Sequence, residues 1–455
     1  MKTLQKRAII CICFAAILVL GTGFYIYKFV NDGSMWVSYP ANTHVYTKGK
    51  LTTGILKDRN GKILISNSED GVAAYNPDFY TRRALVHTTG DSHGNISTGA
   101  NMVFSDKMIG YNILTGVYST GGQGRTLTTT IDADISTKAN LALAGRRGTV
   151  GVYNYKTGEI VCMVSSPNYD PLYPPILDAD DKSGAFINRF TSSTIVPGST
   201  FKTVTAAAAL NEVKDIENWT YRCTGSHRYG SHSKDRITCL YPHGTVDLKE
   251  ALEVSCNCAF GELAIEVGSK KMEEYTKKAG LMDSYNIDGI RTKASTFDFD
   301  SNKVNLAWTG IGQSKDLVNP CAMMVYMGSI AGNGEAATPS LIKDVELLSG
   351  IGSDYNFKTT TKSFMDEETS SKLKDMMINN VESYYGSSMF PGLKIGAKSG
   401  TAETSKNATP HAWFTGFLDD EDNPYAFVVL VENGGYGTEV AGRVANTVLQ
   451  ALVDK

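Results

Sequence analysis

The sequence predicts an α+β (α/β layered) fold behind one apolar N-terminal helix, and three observations carry that reading. Strand-like runs stand at both ends of the chain beyond about residue 140, helical patterns fill the middle, and an uncharged apolar stretch opens the sequence. A sheet assembled from the two ends of a domain and covered by its helical middle is a layered arrangement. At 455 residues, with 42% hydrophobic and 20% charged residues, the chain can bury sizeable cores in two or three domains. A formal net charge of -3 without a basic stripe leaves no electrostatic footprint for nucleic acid, so none is expected as a partner.

The first element is the apolar run. Lys2, Lys6 and Arg7 precede AIICICFAAILVLGTGFYIY, 20 uncharged residues from Ala8 to Tyr27. That length crosses a hydrocarbon core of about 30 Å. It exceeds the usual core of a signal peptide and no A-x-A-like cleavage site follows, so a retained membrane anchor is expected rather than a cleaved leader. With only Lys28 close behind the run, the positive residues before it place the N-terminus in the cytoplasm and everything after about residue 30 outside.

From about residue 30 to 125, short apolar stretches alternate with Gly, Ser, Asn and Asp, as in the loop-rich HTTGDSHGNISTGANMVF. YSTGGQGRTLTTTIDADI then passes from a glycine cluster into alternating apolar residues, which sets a boundary between about 120 and 145. The expected division is 1–30 as cytoplasmic tip and anchor, 31–140 as a small strand-containing module, and 141–455 as the main domain.

In that domain GTVGVYNYKTGEIVCMVSSP reads as two strands joined at Lys156-Thr157-Gly158, with Val150, Val152, Ile160 and Val164 inward. HAWFTGFL and AFVVLVE are two further strands separated by the turn DDEDNP. EVAGRVANTVLQALV carries Val440, Val444, Val448 and Leu452 at a spacing of four, one face of a final helix. Between these pieces, residues 199 to 380 are mostly helical in pattern, including LKEALEVS and NPCAMMVYMGSIA.

Of eight cysteines, Cys11 and Cys13 lie in the anchor as packing residues; the others are Cys162, Cys223, Cys239, Cys256, Cys258 and Cys321. An oxidising location permits a bridge, and Cys223 with Cys239 is the favoured pair, both in the polar segment YRCTGSHRYGSHSKDRITCL. His227 and His232 in this segment and His243 just after it raise zinc as an alternative. Their spacings match no familiar ligand pattern, so neither metal nor cofactor is expected.

The chemistry centres on TSSTIVPGSTFKTVTAAAAL. A serine hydroxyl needs a base within hydrogen-bond reach. On a helix beginning near Gly198, residues three apart share a face, which lets Ser199 Oγ and Lys202 Nζ meet. Lysine serves as a base only when neutral, so burial or a neighbouring cation must lower its pKa from about 10.4. Alone, this S-x-x-K pattern is more often a solvated lysine at a helix start. Ser255-Cys256-Asn257 follows 56 residues downstream, offering a hydroxyl to relay a proton and an amide to hold a substrate carbonyl. Lys398-Ser399-Gly400-Thr401 reads as a strand whose small residues allow close approach of a substrate backbone, with a second cation and two hydroxyls for a carboxylate.

S-x-x-K, S-x-N and K-S-G-T in this order resemble the penicillin-binding proteins and serine β-lactamases. The resemblance extends over nearly the whole chain. GILKDRNGKIL, FINRFTSSTIVPGSTFKTVTAAAAL, TGIGQ with NPCAMM, KSGTAET and HAWFTGF are similar to stretches of the membrane-anchored class B penicillin-binding proteins. It implies a transpeptidase domain with a central antiparallel sheet and a helical subdomain, behind a non-catalytic pedestal or dimerisation-like module. It implies Ser199 as the acylated nucleophile, Lys202 as its base, Ser255 as proton relay to the leaving amine and Lys398 as the electrostatic partner. Asn257 would contact the donor peptide, Ser399 and Thr401 would hold its carboxylate beside Gly400, and the backbone N–H groups of Ser199 and Thr401 would form the oxyanion hole.

The implied reaction is D,D-transpeptidation of D-Ala-D-Ala stem peptides through a serine acyl-enzyme, with β-lactams acylating the same serine. A glycan polymerase of the SEDS kind is the implied membrane partner. Thr53 stands where the N-terminal family stretch begins with Arg, which puts a salt bridge of the module in doubt. The region before the main domain is too short for a glycosyltransferase domain, and no PASTA-like extension is expected. The rival readings are a β-lactam hydrolase or D,D-carboxypeptidase of the same superfamily, including one with a carboxylated Lys202, and a non-catalytic penicillin-binding sensor or scaffold. The first lacks an evident water-activating carboxylate, and the second should have lost part of the three motifs.

Overall fold

The computed structural model describes residues 2–37, 46–47, 50–51, 54–67, 73–109, 111–112, 116–117, 125–178, 180–232, 235–313, 315–346, 359–403 and 408–454. The chain opens with helix α1 (Lys2–Val37), which contains an apolar stretch from Leu4 to Val30 long enough to cross a membrane.

A first sheet follows, from β1 (Ile55–Lys57), β2 (Ile63–Asn67), β3 (Ala73–Tyr75) and β4 (Thr126–Thr129). The β1–β2 turn is built by buried Asp58, whose Oδ1 accepts from the Asn60 and Lys62 amides at 2.9 and 2.8 Å. Arg59 reaches Glu159 of the main domain at 3.2 Å. Thr53, the departure noted above, lies outside the described residues.

Beyond α2 (Ala133–Leu143), β5 (Gly148–Asn154) and β6 (Ile160–Ser166) form the expected hairpin. The middle supplies α3 (Lys202–Glu212), α4 (Leu248–Glu253), α5 (Asn257–Val267), α6 (Pro320–Ala331), β7 (Ile342–Val345) and α7 (Glu367–Asn379). The chain closes with β8 (Ile395–Ala402), β9 (His411–Leu418), β10 (Tyr425–Val431) and α8 (Ala441–Val453). The main sheet runs β6-β5-β10-β9-β8, antiparallel throughout, so its two ends of sequence meet at β5 against β10. The first sheet runs β7-β4-β1-β2-β3 and therefore borrows β7 from the region assigned by sequence to the main domain.

Both faces of the main sheet are covered, which explains its near-continuous apolar strands. In β10, Phe427, Val429 and Val431 pack towards α2 and α8, whereas Ala426, Val428 and Leu430 pack on the side of α6. Val444, Val448 and Leu452 are the buried stripe of α8, as their spacing predicts. All 12 residues of α6 are buried, the signature of a helix apolar all round. Val150, Val152 and Val164 share the α8 side, but Ile160 joins the opposite core. A bulge between Ile160 and Cys162 inverts the side-chain alternation there. At the far end of β10, Arg189 donates to Glu432 at 2.6 Å and to the Gly184 and Ser183 carbonyls, tying the segment before Ser199 to the sheet.

Candidate active site

Ser199 sits in a single 3-10 turn, Gly198–Phe201, which runs directly into α3 at Lys202. The turn needs two glycines. Gly198 has φ +56 and donates its N–H to the Gly312 carbonyl at 2.8 Å, and a Cβ on Gly312 would lie 2.2 Å from the Gly198 carbonyl oxygen. Gly312 belongs to TGIGQ, so that motif is the seat of the Gly198–Phe201 turn. Trp413 of β9 donates its indole N–H to the Val196 carbonyl at 2.9 Å, fixing the approach to the turn from the sheet side.

In a 3-10 turn residues three apart eclipse, so Ser199 and Lys202 do share a face. The Lys202 ammonium nevertheless points onward. Nζ donates to the Ser255 carbonyl at 2.7 Å, to Ser255 Oγ at 3.1 Å and to Asn257 Oδ1 at 2.6 Å. Three acceptors saturate the three donors of an ammonium. Among the described residues Ser199 Oγ, half-buried, has no hydrogen-bond partner, so direct contact with Lys202 Nζ requires the lysine to lose a proton and release one of its acceptors.

Ser255 lies in the turn between α4 and α5 with φ +54, a left-handed conformation that costs a serine about 1 kcal/mol and is held by the bond from Lys202 to its carbonyl. Its Oγ is the hub of the site, because Lys398 Nζ also donates to it at 3.1 Å. Both lysine side chains are fully buried. Burial, then the charge of Lys398, pushes the pKa of Lys202 down to about 7. Burial likewise pushes Lys398 down to about 7. The repulsion is mutual and falls on whichever lysine is protonated second. Near neutral pH the site therefore offers a neutral lysine as a base and a hydroxyl shared with a second nitrogen as a path for its proton.

Asn257 divides its amide, accepting from Lys202 and donating Nδ2 to the Thr238 carbonyl at 2.8 Å. Lys398 to Thr401 lie on β8, the edge strand of the main sheet. Ser399 and Thr401 are half-buried, and the Ser399 N–H leaves the free edge to meet Tyr385 Oη at 2.9 Å. By the two-residue period of a strand the Thr401 N–H leaves the same edge. An extended peptide can add there, with main-chain groups facing it. Gly400 has a role the sequence reading did not give it. A Cβ there would meet the Pro197 carbonyl oxygen at 2.8 Å and Thr200 Cγ2 at 2.9 Å, so its small size accommodates the turn that carries Ser199.

Tyr385 escaped the sequence reading altogether. Its hydroxyl donates to Ser399 Oγ at 3.0 Å and lies 3.5 Å from Lys398 Nζ, and it comes from an irregular helical turn after α7 that carries no motif. The favoured cysteine pair is also different from expectation. Cys223 and Cys239 are free thiols with Sγ atoms 3.8 Å apart, and Cys256 lies equally close to Cys239.

Comparison with known proteins identifies the family and the fold. The family model described as penicillin binding protein transpeptidase domain matches residues 148–450. The chain is 27% identical over 482 aligned positions to the peptidoglycan D,D-transpeptidase PbpA of Mycolicibacterium smegmatis, covering 96% of this chain and 94% of that relative. It is 29% identical over 335 positions to PbpA of Mycobacterium tuberculosis, covering 68% and 67% of the two chains. Among solved structures it is similar to a ceftriaxone acyl-enzyme complex of penicillin-binding protein A from M. tuberculosis, with TM-score 0.78 and 23% identity over 88% of this chain and 98% of that one. A D,D-transpeptidase domain from Eggerthella lenta superposes with TM-score 0.76 at 25% identity, again over 88% and 98%.

Proposed function

The chain belongs to the penicillin-binding protein transpeptidase family, and from that premise we propose that it is a membrane-anchored peptidoglycan D,D-transpeptidase whose acylated residue is Ser199. The observation that carries the assignment of roles is the shared Ser255 hydroxyl, 3.1 Å from each of two buried lysines at the mouth of the nucleophile helix.

In this reading neutral Lys202 takes the proton of Ser199 as Oγ attacks the penultimate carbonyl of a D-Ala-D-Ala stem peptide. The oxyanion is received by the backbone N–H groups of Ser199, at the positive end of a helix, and Thr401, on the sheet edge. The proton held by Lys202 passes through Ser255 to the leaving amine of D-alanine, with the second lysine setting the potential of the relay. Asn257 steadies the donor peptide, and Ser399 and Thr401 hold its terminal carboxylate beside Gly400. The amine of a neighbouring stem peptide then attacks the ester and gives a proton to Lys202, which returns it to Ser199 Oγ as the ester bond breaks, restoring both groups. A β-lactam acylates the same serine, but its leaving nitrogen stays tethered to the adduct. Among the described residues no carboxylate is hydrogen-bonded to Lys202, Ser255 or Lys398, which favours amine over activated water as the acceptor.

We further propose that α1 holds the chain in the cell membrane by one pass, N-terminus in the cytoplasm and catalytic domain outside. The supports are the basic residues before the span and the presence of the substrate on the outer side. Residues 31–140 act as a pedestal and residues 141–455 as the catalytic domain, with β7 as the strand that joins them. The polymerase partner is of the SEDS kind, docking on the anchor and pedestal. Purified protein labelled with a fluorescent penicillin tests the reaction class: a long-lived adduct accords with a transpeptidase, and rapid turnover contradicts it. Replacing anchor and pedestal with unrelated segments, surface localisation preserved, should abolish wall synthesis; unimpaired synthesis contradicts the partner.

A further inference from the structure

The proposed reaction uses none of the cysteines, yet the fold gathers several of them beside its S-x-N motif. Cys223, Cys239, His243 and Cys256 bring one ligand atom each to within 4.8 Å of one another. Two small hairpins do this. In the first, Tyr221–Cys223 pairs with Gly244–Val246, which sets His243 beside Cys223. In the second, Ser226–Arg228 pairs with Arg236–Thr238, and Cys239 continues it by donating its N–H to the Gly225 carbonyl at 2.9 Å. Cys256 comes from elsewhere, as the N-cap of α5.

The separations have a geometric meaning. Zinc binds thiolate at about 2.3 Å and imidazole at about 2.0 Å, so a tetrahedral site has sulfur–sulfur edges of about 3.8 Å and sulfur–nitrogen edges of about 3.5 Å. The Cys223–Cys239 and Cys239–Cys256 Sγ separations are each 3.8 Å, and Cys223 Sγ lies 3.5 Å from His243 Nδ1. The surroundings suit thiolates. The Gly225 N–H donates to Cys223 Sγ and the Ala259 N–H to Cys256 Sγ, both at 3.4 Å, the outer-shell bonds that orient metal-bound sulfur. Cys223 and Cys256 are buried and Cys239 and His243 half-buried. Four protein donors close the coordination, so such a site is structural and has no position for a reacting water. Three sulfurs and one imidazole select zinc over harder cations. Cys258 lies 3.6 Å from Cys239, but its thiol is directed to the Ile237 carbonyl at 3.7 Å, leaving the fourth seat to His243.

We propose that Cys223, Cys239, Cys256 and His243 bind one zinc ion that staples the two hairpins to the Ser255–Asn257 turn. Each of the three thiols loses its proton to solvent as its bond to the metal forms. Cys256 stands between the Ser255 hub and Asn257, and Cys239 follows Thr238, whose carbonyl holds the Asn257 amide. The metal thus fixes from behind the turn that both lysines address from the front.

Full-length protein, purified in detergent under reducing conditions without chelator, is the material for the test. Elemental analysis should find about one zinc per chain, and cobalt reconstitution should give the sulfur-to-metal charge-transfer and ligand-field bands of a tetrahedral thiolate site. His243→Ala and Cys239→Ser should lose at least about tenfold in zinc affinity, and Cys258→Ser should retain it, with near-ultraviolet circular dichroism reporting folding of each variant. Stripping the wild type should slow penicillin acylation about tenfold and zinc should restore it. Substoichiometric zinc in the wild type, or a Cys223–Cys239 disulfide by peptide mapping of a parallel sample purified without reductant, overturns the site. Loss of zinc in Cys258→Ser with retention in His243→Ala overturns the donor set, and acylation indifferent to stripping overturns the staple. Metal content is read independently of acylation, so failure here is distinct from failure of the proposed reaction.

Discussion

Replacing Lys398 by Met should move the pH dependence of acylation by an amount the geometry bounds. Met keeps the stem and the dry surroundings but removes the second cation. Both ammonium nitrogens lie 3.1 Å from Ser255 Oγ. They are therefore at most about 6 Å apart, and at that separation their repulsion is about 0.7 kcal/mol if water screens it fully and about 2.8 kcal/mol at an effective dielectric of 20. Those limits correspond to roughly 0.5 and 2 pKa units. Lys202, pushed down to about 7 by burial and by Lys398, acts as a base only when neutral. Wild-type acylation should therefore rise with pH to a plateau, half-maximal near 7. Without Lys398 the pKa of Lys202 rises, and the midpoint moves up by about 0.5 to 2 units, a further loss of about 2- to 50-fold at pH 7 on top of any lowered plateau. The assay is the second-order rate of penicillin adduct formation from pH 5 to 10. An unchanged or lowered midpoint in a variant that still labels refutes the coupling of the two lysines.

Other changes probe the supports of the site. Gly400→Ala places a methyl 2.8 Å from the Pro197 carbonyl oxygen and should cut acylation at least about tenfold while costing about 1–3 kcal/mol in denaturant unfolding; wild-type rates would show that the nucleophile turn does not depend on this contact. Tyr385→Phe removes the acceptor of the Ser399 N–H, bonded at 2.9 Å, and should cost about 1–3 kcal/mol and weaken binding of penicillin more than the rate of the bound complex. Glu432→Gln leaves Arg189, 5% exposed, without its charge partner, with an expected loss of about 3 kcal/mol by thermal or denaturant unfolding.

Much of the fold is legible where one local pattern decides one element. HAWFTGFL coincides with β9, and the fourfold spacing in the final helix marks its buried stripe. The hairpin at Gly148–Ser166 is equally plain, yet alternation alone misplaces Ile160, because a bulge changes the face and both faces of the sheet are covered. The same division runs through the site. Ser199 and Lys202 are adjacent on one helical turn and readable together. The Ser255 hub, by contrast, depends on a turn between two helices meeting a strand 143 residues away. Tyr385 carries no periodic signal, and the role of Gly400 is visible only once the nucleophile turn lies against β8. The thiols are the clearest case. Their sequence spacing resembles no zinc motif because two hairpins and a helix cap, each locally unremarkable, create the tetrahedral spacing.

The central claim is that Ser199 forms the acyl-enzyme. Intact-mass and peptide-level mass spectrometry of wild type and Ser199→Ala, after incubation with penicillin, tests it most directly. The account predicts one stable adduct per wild-type chain, on the peptide containing Ser199, and none on the folded variant. An adduct on another serine, or equal labelling of Ser199→Ala, contradicts it.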